Sequence, residues 1–566
     1  MTHLNSNKIP SKEQILNMCH KIVHSKEVFA ACFYGPRAYG YSDETVGINV
    51  LLIIPAYPPQ IGNFTKQINT TNLSVLAVDK KVFEDDVNHG EFGEFVAEII
   101  TLPYKPWINP SYLEKMEVKV KKRFALALLE NIILQYPELS MEILIKPEYF
   151  MYEVIRRRAR LFPPLMNVFL NISRGKAKKQ NIASIMNGYL KALRKLETEN
   201  YVTLSEGYVK INKEFIEATQ RRKTKISNIL MSIQKALLPY LLGVTQKMNT
   251  AFLQDQLFTK SPSQKEEREL LRQLEETEKY LLMPTPMGPV PLSDETTIEE
   301  FIRKTVPGGE ALKIVISEMG GVLNSVFLLR IQKNHETQRI VVKKFEDWLG
   351  FKWFPLALWT LGTHSFAVLG STRLEREYAI NQFLKKHGFA VPRILYISLK
   401  ERLIFEEFIE GNKISNVIKR IIASSSKDDT TINSEIIRVV GREIAKIHSL
   451  GITLGDCKPE NILVSPKRQI YFVDLEQATR NGNQPWDLAE FLYYSGHYIL
   501  PTHTDEAAKL IATSLIEGYL EAGGRTENVK KAASAKYTKV FSIFTLPHII
   551  FIMANICKKL GEDKHG

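Results

Sequence analysis

The spacing of apolar residues divides the chain into strand-like and helix-like stretches. Two mainly apolar runs, Val28 to Tyr34 and Ile48 to Ile54, are typical of buried strands. Between Ile182 and Glu199 the apolar residues recur at helical spacing. The stretch from Tyr201 to Ile211 then alternates as two short strands, which predicts a hairpin that turns at Glu206-Gly207. The pattern therefore predicts an α+β fold class with several domains.

Changes in composition predict where these domains begin and end. Lys265 to Tyr280 is a strongly charged helical stretch, and the four prolines between Met283 and Pro291 exclude a helix there. Val540 to Ile556 is strongly apolar, but it is short and interrupted, so we expect a buried terminal helix and no membrane span. We predict four segments, residues 1–140, 141–255, 256–305 (a linker) and 306–566.

Composition narrows the class of protein. A chain of 566 residues, 44% of them hydrophobic, can bury several cores. The net charge of +13 favours acidic partners such as RNA, DNA or anionic lipid. The four cysteines have no metal-type spacing, and reduced thiols in a cytoplasm are the simplest interpretation. Because no secretory signal opens the chain, we expect a cytoplasmic protein.

One polar run has the residues that phosphoryl transfer from ATP requires. Asp456 can act as the catalytic base, and Lys458 can approach the transferred phosphate. Asn461 and Asp474 can supply oxygen ligands to Mg²⁺, which prefers few carboxylates together with phosphate and water oxygens. The sequence therefore predicts ATP and Mg²⁺ as cofactors, Asp456 and Lys458 as catalytic residues, and Asn461 and Asp474 as metal ligands.

The motifs Asp456-x-Lys458-x-x-Asn461 and Asp474-Leu475-Glu476 resemble the catalytic loop and the metal-binding motif of the protein-kinase superfamily. The resemblance covers roughly residues 310 to 560 and implies a bilobal protein-kinase-like fold at the C-terminus. It implies an ion pair between Lys343 and Glu377, and an Asp487 that braces the catalytic loop. The other cofactor-binding residues that it implies are Gly320, Gly321 and Ser325 over the phosphates and Glu407 and Ile409 in the adenine-binding hinge.

The chain departs from conventional protein kinases in its activation segment. Only a short stretch separates Asp474 from Asp487, so a long regulatory loop is missing. This shortening resembles RIO kinases, the small kinase of the KEOPS complex and aminoglycoside-type phosphotransferases. Because Lys458 belongs to the protein-kinase form of the loop, we expect a serine/threonine protein kinase acting on a protein substrate. The alternatives are a small-molecule phosphotransferase, an RNA-associated ATPase switch of RIO type and a nucleotide-binding scaffold.

The N-terminal strands resemble a polymerase-β-type nucleotidyltransferase. In that family a Gly-Ser leads to an Asp-x-Asp on the next strand, and the acids hold two Mg²⁺ ions. Here Gly35-Pro36 stands for the Gly-Ser, and Gly47-Ile48-Asn49 for the Asp-x-Asp. Asp43 and Glu44 lie nearby, but in the loop and not on the strand. The resemblance therefore implies an α/β nucleotidyltransferase-like domain without the transferase activity.

The middle region combines basic runs with a helix and a hairpin. The helix after Ile182 and the hairpin before Ile211 resemble a winged helix, a module that often binds nucleic acid. Arg156 to Arg160 is one such basic run. RNA or DNA is therefore a candidate partner, and the alternative is a solvated basic surface.

Overall fold

The structure is a computed structural model that describes residues 10–25, 27–41, 47–68, 71–161, 164–173, 176–222, 274, 276–305, 313–319, 325–333, 336–347, 366–424, 426–499 and 504–562. The chain separates into two compact units, Met1–Leu282 and Met283–Gly566. Each unit has its own sheet and its own apolar core.

A five-stranded mixed sheet begins the first unit. Its strands are β1 (Ala30–Tyr34), β2 (Ile48–Ile54), β3 (Ile61–Ile68), β4 (Thr71–Asp79) and β5 (Lys105–Ile108), in the order β3-β4-β2-β1-β5. Strands β2 and β4 run parallel, and the other neighbours are antiparallel. Helices α1 (Lys12–Val23), α2 (Lys80–His89) and α3 (Phe95–Glu98) accompany the sheet. Every residue of β2 is buried, which explains why its sequence is apolar at every position except Asn49.

The rest of the first unit is mainly helical. Its helices are α4 (Pro110–Gln135), α5 (Glu148–Leu161), α6 (Pro164–Ile172), α7 (Lys178–Thr198) and α8 (Lys213–Arg221). Its short strands are β6 (Leu144–Ile145), β7 (Val202–Ser205), β8 (Tyr208–Ile211) and β9 (Leu281–Met283), and β6 pairs with both β8 and β9. The predicted helix and hairpin are confirmed. Glu206 and Gly207 both have positive φ, 52° and 80°, and they form the turn.

The second unit opens with a sheet lobe, residues 283–411. Its helices are α9 (Ile298–Thr305) and α10 (Gly370–Lys386), and its strands are β10 (Val290–Pro291), β11 (Lys313–Glu318), β12 (Ser325–Lys333), β13 (Glu336–Lys344), β14 (Ile394–Ser398) and β15 (Leu403–Glu407). The five strands β11-β12-β13-β15-β14 form one antiparallel sheet. Part of the predicted linker packs against it, because Phe301 is fully buried and stacks on Phe405 with ring centroids 3.9 Å apart.

A mostly helical lobe, residues 412–562, completes the second unit. Its helices are α11 (Ile414–Ala423), α12 (Lys427–Ser449), α13 (Gln484–Gly496), α14 (Thr504–Glu521), α15 (Thr526–Ala532), α16 (Ala535–Phe541) and α17 (Pro547–Glu562). Its short strands are β16 (Asn412–Lys413), β17 (Ile452–Thr453), β18 (Ile462–Val464), β19 (Ile470–Phe472) and β20 (Thr479–Arg480). The strands lie along the edge of the helical core and carry the polar motifs found in the sequence.

The predicted buried terminal helix is present as α17, which buries Ile549, Ile550 and Met553 in the core of the helical lobe, but the apolar run from Val540 to Ile556 does not form one continuous helix. Helix α16 ends at Phe541, and α17 begins at Pro547, whose missing N–H is tolerated in the first turn of a helix. The turn between them exposes Ile543, which is 64% exposed, and Phe551 on α17 is 66% exposed. In the parts of the chain that the structure describes, no helix is both long and apolar enough to cross a membrane.

Glycines allow α12 and α14 to pack closely. A Cβ at Gly441 would lie 2.1 Å from the carbonyl oxygen of Leu515, and one at Gly518 would lie 2.0 Å from that of Arg438. Both clashes are with backbone atoms, which cannot move aside as a flexible side chain can. The crossing of these two helices therefore requires residues without a side chain.

Replacing Gly441 by alanine is therefore expected to destabilise the second unit by about 1–3 kcal/mol, the usual cost of overpacking. Urea unfolding followed by the fluorescence and far-ultraviolet dichroism of the full chain measures this cost. The exposed Ile432 lies on the same helix, and Ile432→Ala is the matched control, with an expected change within about 0.5 kcal/mol. An equal effect of the two variants would contradict the packing argument.

Candidate active site

Asp487 fixes the loop that carries Asp456 by hydrogen bonds to the backbone of that loop. This carboxylate accepts hydrogen bonds from the backbone N–H groups of Leu454, at 2.7 Å, and Gly455, at 2.8 Å. Its Oδ2 also lies 2.9 Å from Nε2 of the buried His448. The bracing position predicted for Asp487 is therefore confirmed.

Gly455 shapes the loop immediately before Asp456. Its φ of 76° lies in the left-handed region, and a Cβ would lie 2.4 Å from the carbonyl oxygen of Gln477. Both the conformation and the close approach exclude larger residues. The glycine thus brings the catalytic loop against the segment that follows Asp474.

Three predicted functional residues meet in the catalytic loop. The Lys458 Nζ donates to Asp456 Oδ2 at 2.8 Å, and the Asn461 Nδ2 donates to the same oxygen at 3.0 Å. Asn461 donates through its nitrogen, so its Oδ1 is the atom that can face a cation. Burial disfavours the Lys458 ammonium, but the Asp456 carboxylate outweighs it and raises the pKa of Lys458 above its usual value.

Asp474 lies beside this loop because β18 and β19 form a hairpin. The backbone N–H of Val473 donates to the carbonyl oxygen of Asn461 at 2.9 Å, which fixes the two predicted metal ligands relative to each other. Asp474 has φ 64°, a left-handed conformation that is uncommon for a residue other than glycine and is found at functional sites. One carboxylate and one amide oxygen suit Mg²⁺ that is also bound to phosphate.

Lys343 joins the sheet lobe to the predicted metal site. Its Nζ lies 2.7 Å from Glu377 Oε1, 3.6 Å from Glu406 Oε2 and 3.7 Å from Asp474 Oδ1. The predicted ion pair with Glu377 is thus confirmed, and the adjacent Lys344 is exposed. Burial opposes the ammonium charge, but the three carboxylates outweigh it and raise the pKa of Lys343 well above its usual value.

Two features of this site were missed in the sequence. One is Glu406, the second buried carboxylate near Lys343. The other is an ion pair between Arg373 on α10, which is 0% exposed, and Glu476, with Nη1 3.1 Å from Oε1. The signal for the second was available, since Glu476 stands where kinases usually have glycine.

The structure describes some of the remaining predicted cofactor-binding residues. Ser325 begins β12, opposite Lys344 in the register, while Gly320 and Gly321 lie outside the described residues. Glu407 is the last residue of β15, and Ile409 follows where the chain leaves the sheet. Their adenine-binding role stays a prediction.

Cys457 lies inside the catalytic loop but has a structural environment. Its backbone N–H donates to Glu490 Oε2 at 2.7 Å, and burial raises the pKa of its thiol well above the usual value. A nucleophilic cysteine needs a lowered pKa and access to solvent. We therefore assign no reaction to Cys457.

In the first unit, Asn49 occupies the position of the expected carboxylates. It is buried at the second position of β2, and a Cβ on Gly35 would lie 2.5 Å from its Nδ2. Asp43 and Glu44 lie outside the described residues. Within the described ranges, no group of three His, Cys, Asp or Glu residues could hold a metal ion.

The basic run of the middle region is engaged within the first unit. Arg156 and Arg157 pair with the buried Glu153, with shortest N–O distances of 2.7 and 2.6 Å. Arg158 pairs with Glu94 and with Glu98. These three guanidinium groups stabilise the unit, which favours the structural interpretation of this run over a nucleic-acid contact.

Comparison with known proteins gives similarities in the second unit. The profile of the lipopolysaccharide kinase (Kdo/WaaP) family matches residues 329–494. The KEOPS complex subunit Bud32 of Pyrococcus abyssi is 28% identical over 106 residues, 19% of this chain and 44% of the relative. A probable serine/threonine-protein kinase BUD32 homolog of Archaeoglobus fulgidus is 34% identical over 117 residues, which are 20% of this chain and 56% of the relative. A 3-deoxy-D-manno-octulosonic acid kinase of Vibrio vulnificus is 25% identical over 122 residues, which are 21% of this chain and 50% of the relative.

These similarities support an atypical kinase-like domain at the C-terminus, including the predicted resemblance to the KEOPS kinase. The matched range includes Lys343, Glu377, Asp456, Asn461 and Asp474. The chain spans about half the length of the curated relatives that it matches. The nucleotidyltransferase-like and winged-helix-like domains stay predictions.

Proposed function

We propose that the second unit is an ATP-dependent phosphotransferase that transfers the γ-phosphoryl group of ATP to a hydroxyl group. The observation that carries the proposal is the convergence of two groups of residues on one site. Lys343 on the sheet lobe lies 3.7 Å from Asp474, and the hairpin β18–β19 joins Asp474 to the loop of Asp456 and Asn461. Such a site can hold phosphates between a cation and metal ligands.

Each residue then has a role in the transfer. Asp456 accepts the proton of the attacking hydroxyl, and Lys458 offers its ammonium to the transferred phosphoryl group. Lys343, held by Glu377, orients the α- and β-phosphates. Asn461 and Asp474 are the residues that would hold Mg²⁺, which neutralises charge on the phosphates when bound.

A serine or threonine of a protein is the acceptor that we favour. The run Lys458-Pro459-Glu460-Asn461 is the protein-kinase form of the loop, and the Lys458 side chain donates a hydrogen bond to Asp456. One relative, 34% identical over its matched part, is named a probable serine/threonine-protein kinase. These two observations support a protein substrate.

A sugar hydroxyl is the second candidate acceptor. The matching family profile is named for lipopolysaccharide kinases, and a relative is named a 3-deoxy-D-manno-octulosonic acid kinase. The short stretch between Asp474 and α13, which begins at Gln484, also leaves little room for a peptide-binding segment. Both acceptors use the same base and the same metal ligands.

The proposed function is tested by incubating the full chain with γ-labelled ATP, Mg²⁺ and either a basic protein or a panel of sugars. Label on protein would support the first acceptor, and labelled sugar on thin-layer chromatography the second. Free phosphate alone, stimulated by RNA, would favour an ATPase switch. If no label leaves ATP under any of these conditions, the proposed function is wrong.

Replacing Asp456 by asparagine is expected to slow transfer by about 10²–10⁴-fold, because proton transfer by a positioned base contributes that much. Asparagine keeps the size of the side chain and the contacts with Lys458 and Asn461 but cannot accept the proton. The rate of label transfer measures the effect. Asp428→Asn on the exposed face of α12 makes the same chemical change away from the site, and its rate should match that of the unmodified chain.

A further inference from the structure

Glu406 is a buried carboxylate that the proposed mechanism does not use. It lies on β15, where it pairs in register with Val341, while Lys343 pairs with Ile404. Side chains alternate between the faces of a strand, so Glu406 and Lys343 project from the same face of the sheet. The 3.6 Å separation of their charged atoms agrees with this placement.

One oxygen of Glu406 has no donor among the residues that the structure describes. The side chain is 2% exposed and its Oε2 faces Lys343, while its Oε1 is buried without a hydrogen-bond partner in the described part of the chain. A buried acceptor left unpaired is costly, and more so when it carries charge. The Oε1 atom therefore indicates that a ligand with a hydrogen-bond donor binds at this face.

The position of Glu406 in the chain specifies which part of a nucleotide it would meet. Lys343 contacts phosphates under the proposed function, and the predicted hinge at Glu407 and Ile409 follows Glu406 directly. Glu406 thus lies between the phosphate-binding lysine and the segment that binds the base. At its 6-position adenine carries an amino donor, whereas guanine carries a carbonyl acceptor.

We propose that Glu406 is a specificity-determining residue, which accepts a hydrogen bond from the 6-amino group of adenine and thereby selects ATP over GTP. The inference rests on the proposed function. A fixed carboxylate acceptor pairs with the amino group and repels the guanine carbonyl, so it both favours one base and opposes the other. Discrimination by buried polar groups is strong because the wrong ligand leaves them unpaired.

The test compares the affinities of ADP and GDP for the full chain by isothermal titration calorimetry, in which no turnover is needed. The unmodified chain is expected to bind ADP at least tenfold more tightly than GDP. In Glu406→Gln the amide can donate to the guanine carbonyl, so the ratio of the two dissociation constants is expected to fall about tenfold or more. Glu410→Gln removes an equal charge from an exposed side chain near the hinge and is expected to leave the ratio unchanged.

The outcomes separate this inference from the proposed function. If Glu406→Gln weakens ADP and GDP by the same factor, Glu406 acts only as a counter-ion of Lys343 and the inference is wrong. The same holds if the unmodified chain binds ADP without preferring it to GDP. If neither nucleotide binds to the unmodified chain, the proposed phosphotransferase function falls with it.

Discussion

Replacing Asp474 by alanine is expected to reduce the rate of phosphoryl transfer by about 10⁴-fold or more. The metal that Asp474 would hold provides several kcal/mol of charge stabilisation in the transition state, and each 1.36 kcal/mol corresponds to a factor of ten in rate. Asp474 offers the one carboxylate of the proposed Mg²⁺ site, and Asn461 alone presents a neutral oxygen. The loss should appear in the maximal rate of label transfer at saturating ATP.

The Asp474 variant should still fold. Its side chain is partly exposed and lies 3.7 Å from Lys343 Nζ. Lys343 keeps Glu377, at 2.7 Å, as a closer partner. The thermal midpoint should therefore remain close to that of the unmodified chain. Asp428→Ala, an exposed aspartate on α12, serves as the matched control and should transfer label at the normal rate. An undiminished rate of transfer in Asp474→Ala would contradict the assignment of Asp474 as a metal ligand.

The parts of the site that could be predicted depend on local sequence. The Val-x-Lys pattern favours Lys343 over Lys344, and the structure buries the first and exposes the second. The hairpin at Glu206-Gly207 was predictable because two short alternating runs flank a glycine, which readily adopts the positive φ that such a turn needs. Asp487 was predictable because the motif that carries it has a known partner loop. In each case a few neighbouring residues in the sequence are enough to make the prediction.

The parts that were missed depend on contacts between distant segments. Arg373 and Glu476 are 103 positions apart, and although Glu476 stands where kinases usually have glycine, the sequence does not identify Arg373 as its partner. In the sequence, Glu406 is not distinguishable from the neighbouring acid Glu407. The pairing of the strands shows that Glu406 faces Lys343, whereas Glu407 forms an ion pair with Arg393. The break in the apolar run after Val540 was missed for a related reason, since hydrophobicity alone does not reveal which residues a turn leaves exposed.

The ion pair between Arg373 and Glu476 connects the helix of Glu377 with the segment that follows Asp474. Arg373 lies on α10, the helix that also carries Glu377, and Glu476 lies two residues after Asp474. Arg373 also donates to the carbonyl oxygen of Glu346. Where kinases commonly have a flexible glycine, this chain has a buried charged link. We infer that the link holds Asp474 in a fixed position relative to Lys343.

Replacing Arg373 by methionine is expected to destabilise the second unit by about 3–5 kcal/mol, because removing one partner of a buried ion pair deprives the remaining buried charge of that partner. Hydrogen exchange of the full chain measures the effect locally, as faster exchange in α10 and around Asp474. The double variant Arg373→Met, Glu476→Leu has no such charge and should recover most of the loss. A double variant no more stable than Arg373→Met would contradict the charge argument.

The double variant also separates stability from positioning. If the ion pair serves only to stabilise the fold, the apolar pair should restore transfer together with protection from exchange. If it positions Asp474, protection should return while the maximal rate stays low, because two apolar side chains pack without the directional contacts that fix the segment. We expect the second result, since Glu476 directly continues the segment of Asp474, whose left-handed backbone needs support from its surroundings.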